Sequence, residues 1–589
     1  MGLDTSQPIK LVEPRLGTAG KYIALSYCWG GSNGFRATKL NISKILQGLD
    51  EEELPATIRD AIELARYLGV RYLWVDALCI IQDDRQDWIH ESGKMAAVYG
   101  QAFLTIAATS VASSRISFLH LSRENEEHLF RLRNKSLYER QKNNDEETTP
   151  SGVLGVRRTL RSGFHQNPNR TTVDPGMCRA WTLQEYLLSP RIISFSTDEV
   201  QWTCRTIRAC ECNNPEDLDM PRLEMLQRKI TRVQGREKKT KPVEGYSNND
   251  AIRLVMLHCY SFWNDIVERY SVRQLSCARD KLPALSGVAR EYARILDDGR
   301  HSDMAPTRPS RYLAGLWEDD IYRGLCWYNP GHTSKDFLPV EYCAPSWSWA
   351  SLESRVITHN EPNAYVPHAE ILEAVCALAN PDDPFGKVLK EGTYLKVRGV
   401  VLETKMTLTQ GPLGKTPYGQ VFMDCGVEGV FLNVTVFEQL GAADTALTST
   451  DESQAQDPSP ARTVRRRHGR SATSTDDDLG RVGSPGESDT LPDARSGSEE
   501  RREEWKGKQR WGKNILGKQF TVWLLSLMEG PIDDGIISRY VLALGRPAGE
   551  QSEVYERIGL LSIFSDIDSD DYIPWPVQEE GLIRTITIV

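Results

Sequence analysis

The chain has no stretch approaching the ~20 consecutive apolar residues that a membrane span requires. Residues 1–21 lack the continuous apolar core of a secretory signal. A cytoplasmic protein without a membrane span is therefore expected. Positive charge is not in excess either: the formal net charge of the 589 residues is -10, which gives no global reason to expect nucleic-acid binding. The 10 histidines do not cluster with the 12 cysteines as a thiol hydrolase would need. There is no G-x-S-x-G elbow, no Walker lysine loop and no H-E-x-x-H pair, so three familiar hydrolytic machineries are excluded. Cys28, Cys79, Cys259 and Cys326 sit singly in apolar surroundings, where free thiols act as small hydrophobes, and no disulfide framework is expected. Cys204, Cys210 and Cys212, with Cys178 and His165 upstream, form C-x5-C-x-C rather than paired C-x2-C knuckles, and no fourth ligand is evident. No metal or cofactor is expected.

What is present begins with a repeated β-α pattern. Residues 22–27 form a short apolar run ended by Gly30 and Gly31. Pro55 then opens an amphipathic helix with Ile58, Ala61, Ile62, Ala65 and Leu68, stopped at Gly69. Residues 72–75 read as a second strand ending at Asp76, 87–99 as a helix, 103–107 as a third strand and 192–196 as a fourth. A parallel sheet covered by helices is the natural solution, with 22–27 and 72–75 as neighbouring parallel strands joined by a right-handed crossover. Residues 249–270 and 285–296 look helical. From 342 onward the pattern turns to strands: 346–350, with Trp347 and Trp349 on one face, then 394–401, 420–423, 430–436, 520–527 and 585–589.

The expected layout is an N-terminal lead (1–21), an α/β domain (22–212) with a surface insertion at about 122–174, and a mainly helical region (213–341). A β-rich domain (342–441 and 511–589) follows, interrupted by a disordered low-complexity insert (442–510). In that insert, Arg465-Arg466-Arg467-His468 reads as solvated charge, with nuclear import as the other reading. The basic residues of 215–241 read as a solvated helix and loop. The acidic run from Asp566 to Asp571 is not a calcium loop, because Asp571 stands where the turn glycine belongs and Val577 where the bidentate Glu belongs.

The most informative block is Cys178-Arg179-Ala180-Trp181-Thr182-Leu183-Gln184-Glu185-Tyr186-Leu187-Leu188-Ser189-Pro190-Arg191. At helical spacing Trp181, Glu185 and Leu188 share a face, which places a carboxylate between two large apolar groups. Desolvation raises the pKa of such a group, and a Glu poised near neutrality suits proton transfer or stabilisation of a cationic transition state. The alternative is a structural ion pair with Arg179 or Arg191.

Two further blocks accompany it: Tyr22-Ile23-Ala24-Leu25-Ser26-Tyr27-Cys28-Trp29-Gly30-Gly31 and Tyr72-Leu73-Trp74-Val75-Asp76-Ala77-Leu78-Cys79-Ile80-Ile81-Gln82-Asp83-Asp84. Together the three blocks resemble, in order, the Y-x-A-L-S-Y-x-W-G, L-W-[IV]-D-x-L-C-I-x-Q-D and R-x-W-T-L-Q-E-x-L-L-S-P-R motifs of the fungal heterokaryon incompatibility (HET) domain. The resemblance extends to Asp280-Lys281-Leu282-Pro283-Ala284-Leu285-Ser286-Gly287, to residues 312–317 and to residues 344–351. It implies a role in non-self recognition leading to growth arrest and cell death, through self-association or association with another incompatibility protein.

The order of elements is also similar, more distantly, to the Toll/interleukin-1 receptor (TIR) fold, a flavodoxin-like parallel sheet. Plant members of that group carry W-C-L-D-E where this chain has Trp181-Thr182-Leu183-Gln184-Glu185. That resemblance implies that Glu185 is the carboxylate that drives cleavage of the nicotinamide-ribose bond, with NAD as substrate. Ser26, Tyr27, Trp29, Gly30, Asp76 and Trp181 would then line the ligand crevice. Each also has a plain structural reading: Trp29 closing the core, Gly30 and Gly31 making the turn, and Asp76 capping a helix.

Overall fold

The structure is a computed structural model. It describes residues 9–15, 17–31, 35–120, 128–131, 153–156, 174–197, 199–211, 223, 226, 228, 248–299, 309–330, 341–358, 365–410, 420–423, 430–432, 519–533, 536–547, 553–566 and 580–589. The segments 132–152, 157–173 and 433–518, the larger part of the two expected insertions, lie outside the described residues, as do His165, Cys212 and the acidic run beyond Asp566.

The N-terminal sheet is built from β1 (Tyr22–Ser26), β2 (Tyr72–Trp74), β3 (Leu104–Ala107), β4 (Arg191–Phe195), β5 (Val200–Cys204) and β6 (Arg208–Cys210). Its spatial order is β2-β1-β3-β4-β5-β6. β1 runs parallel to β2, with Tyr22 opposite Tyr72, and parallel to β3, which is in turn parallel to β4. The neighbouring parallel pair expected from the sequence is therefore present. β5 and β6 add an antiparallel edge, so the sheet is mixed rather than wholly parallel.

Side chains alternate across a strand, and β1 uses both faces. Ile23 and Leu25 join Leu104, Ile106 and the buried stripe Ile58, Ala61, Ile62 and Ala65 of α1 (Ala56–Tyr67) on one side. Ala24 faces the other way, toward Met95, Tyr99 and Ala102, with Met95 and Tyr99 carried by α2 (Arg85–Gln101). Pro55 caps α1 and Gly69 follows it with φ +66, the proline-first, glycine-last asymmetry that the sequence displays.

The helix of the motif block, α3 (Ala180–Leu188), packs against α4 (Pro283–Gly299), where the Gly287 amide donates to Gln184 Oε1 at 2.9 Å. A Cβ at Gly287 would lie 2.5 Å from the Ala96 Cβ, so glycine allows this three-way approach. The helix Asn248–Ser271, which lies between them in sequence, contributes Trp263, which meets Tyr292, Tyr312 and Trp317 at centroid distances of 5.1, 5.8 and 5.5 Å.

Residues 346–350 are not the expected strand. They make bends followed by the 3-10 turn Trp349–Ser351, because the Ser348 hydroxyl accepts the Ala350 amide at 3.0 Å. Trp347 and Trp349 are both fully buried rather than sharing a half-exposed pleated face. The Trp347 carbonyl accepts the Trp327 indole N–H, and the Trp349 indole donates to Gly315, each at 3.0 Å.

In the C-terminal region Tyr394–Gln410 pairs with Gln519–Asp533, which is followed around by Ile536–Gly545, Val554–Asp566 and Ile583–Ile588, and this last strand returns to Tyr394–Gln410. An odd ring cannot alternate direction throughout, and the one parallel pairing, Val554 with Thr587 and Tyr555 with Ile588, closes it. Among the described residues no helix is long and apolar enough to cross a membrane. The chain is thus a mixed α/β protein: a parallel-containing N-terminal sheet, helices, then a β-rich C-terminal region.

Candidate functional site

β1 is flanked by β2 and β3, so the chain turns outward from its C-terminal end between the ends of its neighbours. Three loops meet there. After β1, Gly30 adopts φ +72, and a Cβ on it would lie 2.4 Å from the Ser113 Cβ, so only glycine lets the loops after β1 and β3 touch. The Ser114 amide and hydroxyl both donate to the Trp29 carbonyl, at 3.2 and 3.0 Å. After β2, Asp76 opens a short helical turn, accepts the Ala77 amide at 2.7 Å, and receives the Trp29 indole N–H at 2.9 Å.

α3 brings the fourth wall. Arg179, its N-cap residue, donates to the Tyr27 carbonyl at the end of β1. The entry to the helix is fixed from outside the sheet: the Ala180 amide donates to the Gln274 carbonyl at 2.9 Å, and Arg273 donates to the Arg179 carbonyl at 3.1 Å and the Thr182 hydroxyl at 3.0 Å. At the far end the Ser189 hydroxyl is 2.6 Å from the Glu185 carbonyl and 2.6 Å from Thr105 Oγ1, tying α3 to β3.

This framework sets Glu185, only 3% exposed, among Ser26, Tyr99, Arg179 and Asp76. Burial raises its pKa to about 7 against the opposing pull of Arg179 and of the Ser26 and Tyr99 hydroxyls, while Asp76 pushes in the same direction as burial. Its Oε2 completes no hydrogen bond of normal geometry, and the Tyr99 hydroxyl is aimed instead at the Leu25 carbonyl, 3.0 Å away. Asp76 is half-buried by area, yet its carboxylate sits deep enough that burial raises its pKa despite Arg179 and the Trp29 indole. Burial works against the Arg179 cation, but Glu185 and Asp76 outweigh it and hold the guanidinium above its ordinary value. Desolvation of its guanidinium pushes Arg273, half-buried by area, down to about 10. Burial likewise lifts the Tyr27 and Tyr99 phenols well above 10.0.

The cluster is therefore two carboxylates with one arginine acting on both and a second behind it, and burial shifts the deeper carboxylate toward its protonated form. Trp29, Asp76 and Arg179, half-buried, and Gly30, exposed, form the rim above it. Such an arrangement can stabilise positive charge developing nearby, or take up a proton.

Of the residues singled out in the sequence, Ser26, Tyr27, Trp29, Asp76 and Glu185 come together, with Gly30 at the rim. Trp181 stands apart: it meets Trp88 edge-on at 6.4 Å and its indole reaches the Asp280 carboxylate. Arg191 is directed to the Phe103 carbonyl at 3.1 Å, away from Glu185. Tyr99 and Arg273 escaped sequence reasoning. Tyr99 shares helical spacing with Met95, which marks a core face, and nothing near Arg273 distinguishes it from a surface arginine. Among the described residues no group of three or more His, Cys, Asp or Glu side chains is arranged to hold a metal ion.

Residues 22–185, the span from the start of β1 to Glu185 itself, match the family model described as heterokaryon incompatibility protein (HET). Comparison with curated proteins and with solved structures gave no match.

Proposed function

We propose, for a chain that carries a heterokaryon incompatibility domain over residues 22–185, that it is an effector of fungal non-self recognition whose domain removes NAD by cleaving the nicotinamide-ribose bond. The observation that carries this reading is Glu185: a buried carboxylate with a pKa near 7 and an oxygen without a hydrogen-bond partner, at the end of the central parallel strands. Open α/β sheets bind ligands beyond the carboxyl ends of their strands, where the strand order reverses. The parallel order β2-β1-β3-β4 puts that reversal between β1 and β3, beside Ser26, and it is the order a TIR-like or flavodoxin-like sheet would have.

In the proposed reaction the C–N bond breaks and its electron pair stays with nicotinamide, which leaves neutral. The ribose becomes oxocarbenium-like, and the ionised Glu185 stabilises it electrostatically and accepts a proton from the attacking water, giving ADP-ribose. Trp29, half-buried on the rim, would stack on a ring of the substrate, and Arg179 would keep a fraction of Glu185 ionised. With Glu185 3% exposed, this is a closed form, and the rim formed by Trp29 and Arg179 has to part for substrate to enter.

A second reading, signalling by self-association without chemistry, is favoured by one observation. β2 is an edge strand, and Tyr67, Leu68 and Tyr72 beside it are 86%, 42% and 39% exposed. Nicotinamide release by the purified protein, with and without Glu185→Gln, separates the two.

A further inference from the structure

The matched span ends at Glu185, yet the residues that seat the Glu185 helix come from beyond it. After the helix Asn248–Ser271 the chain runs alongside the entry to α3. There the Gln274 amide donates to the Cys178 carbonyl at 2.6 Å, and the Gln274 carbonyl accepts the Ala180 amide at 2.9 Å. Beside them Arg273 sends one nitrogen, Nη1, to both the Arg179 carbonyl and the Thr182 hydroxyl, at 3.1 and 3.0 Å. This stretch is itself held from the C-terminal side. Tyr270 donates to the Lys281 carbonyl at 2.6 Å and meets Trp349 edge-on at 5.8 Å, and the Ser271 hydroxyl accepts the Val356 amide at 3.0 Å.

Seating a helix does not by itself call for an arginine here. A helix N-terminus carries partial positive charge, so a cation in the first turn works against the macrodipole. The guanidinium is also desolvated enough to be pushed down to about 10. A neutral amide donates to carbonyl and hydroxyl oxygens without either penalty. What the charge adds is a field: Arg273 is attracted to Glu185 and Cys178, with Tyr270 and Arg269 its other charged or titratable neighbours. In front of it Arg179 donates to the Tyr27 carbonyl and acts on both Glu185 and Asp76. The groups facing Glu185 are Ser26, Tyr27 and Cys28 of β1 and its loop, Asp76 after β2, Tyr99 of α2, and these two arginines, which supply the positive charge.

We infer that Arg273 is a positioning residue for the carboxylate site: anchored by the downstream helix, it fixes where the Arg179 guanidinium stands relative to Glu185, so a region outside the matched span governs the site. The catalytic consequence rests on the NAD cleavage proposed above; the effect on Glu185 does not.

A thermodynamic cycle tests it without substrate. The Tm difference between the wild type and Glu185→Gln, followed from pH 4.5 to 9, reports the midpoint at which Glu185 ionises in the folded chain. Arg273 keeps its charge through most of that window, and Asp76 is common to both members of each pair. In an Arg273→Gln background the midpoint should move up by about half a unit or more, because one cation is lost and the other is held less firmly. Arg273→Lys keeps a cation with three donors and should bring the midpoint most of the way back. Thr182→Val removes one of the two acceptors and should move the midpoint the same way by less, which carries the test if Arg273→Gln does not fold. A role confined to seating the helix predicts an equal loss of stability with and without the Glu185 carboxylate and an unmoved midpoint, and that result would overturn the inference. With NAD, the acid limb of nicotinamide release should move up with the midpoint, with little change in KM. A moved midpoint in a chain that releases no nicotinamide would refute NAD cleavage and leave the positioning role standing. Release by the wild type with the same acid limb in Arg273→Gln would refute the role and leave NAD cleavage standing.

Discussion

The buried carboxylate makes a sharp statement about stability and pH. Glu185 has its pKa raised from 4.5 to about 7 in the folded chain. An acid with a raised folded pKa binds its proton more tightly in the native state, so its contribution is fully present below about 4.5 and is lost as pH rises through about 7. The shift corresponds to about 3 kcal/mol of native-state penalty above neutrality. Glu185→Gln keeps the shape and removes the titration. Its stability should match the wild type in mild acid and exceed it at pH 8 by up to about 3 kcal/mol, a figure in which the attraction to Arg179 is already included. For a unit of 150–250 residues that is a Tm difference of roughly 5–10 °C opening between acid and alkaline conditions. Thermal unfolding of both proteins from pH 4.5 to 8.5 reads it directly. A variant that is less stable than the wild type by the same amount at every pH would refute the reasoning and show that the carboxylate serves to hold Arg179.

Other perturbations follow from the same geometry. Gly30→Ala meets both a positive φ and a 2.4 Å approach to Ser113, and should lower stability by about 2 kcal/mol or more in a denaturant titration. Trp29→Phe removes the donor that Asp76 receives at 2.9 Å; it should cost about 1–3 kcal/mol at neutral pH and much less in acid, where Asp76 is protonated. Gly287→Ala drives a Cβ to within 2.5 Å of Ala96 and 2.7 Å of Gln184 Oε1, so it should destabilise by about 1–3 kcal/mol and loosen the Glu185 helix, measurable as faster amide exchange along Ala180–Leu188. Replacing 442–504 with a short Gly-Ser linker should leave the Tm within a few degrees, because Thr407 already stands opposite Gln519 in the ladder that flanks it.

Much of the N-terminal sheet was legible because its signals are local. An apolar run stopped by Gly30 and Gly31, and a helix bracketed by Pro55 and Gly69, each require only neighbours in sequence. The antiparallel hairpin of β5 and β6 was not read, since the polar turn at Arg205 and Thr206 that joins it carries no glycine or proline to mark it. Ser346 to Ala350 misled for a physical reason: alternation of Ser and Trp imitates a pleated strand, but Ser348 turns the backbone with its own hydroxyl and both indoles enter one core. The site was legible in part. Glu185, Asp76 and Trp29 stand inside distinctive blocks, whereas Tyr99 and Arg273 reach the cluster only through tertiary packing.

The central claim is that Glu185 works on the nicotinamide-ribose bond, and nicotinamide release measures it most directly. The purified 589-residue chain at high concentration, incubated with NAD near neutral pH, should release nicotinamide and ADP-ribose in equal amounts, and folded Glu185→Gln should release neither. Absence of nicotinamide release by the wild type, or release by the Gln variant at the wild-type rate, would contradict the account.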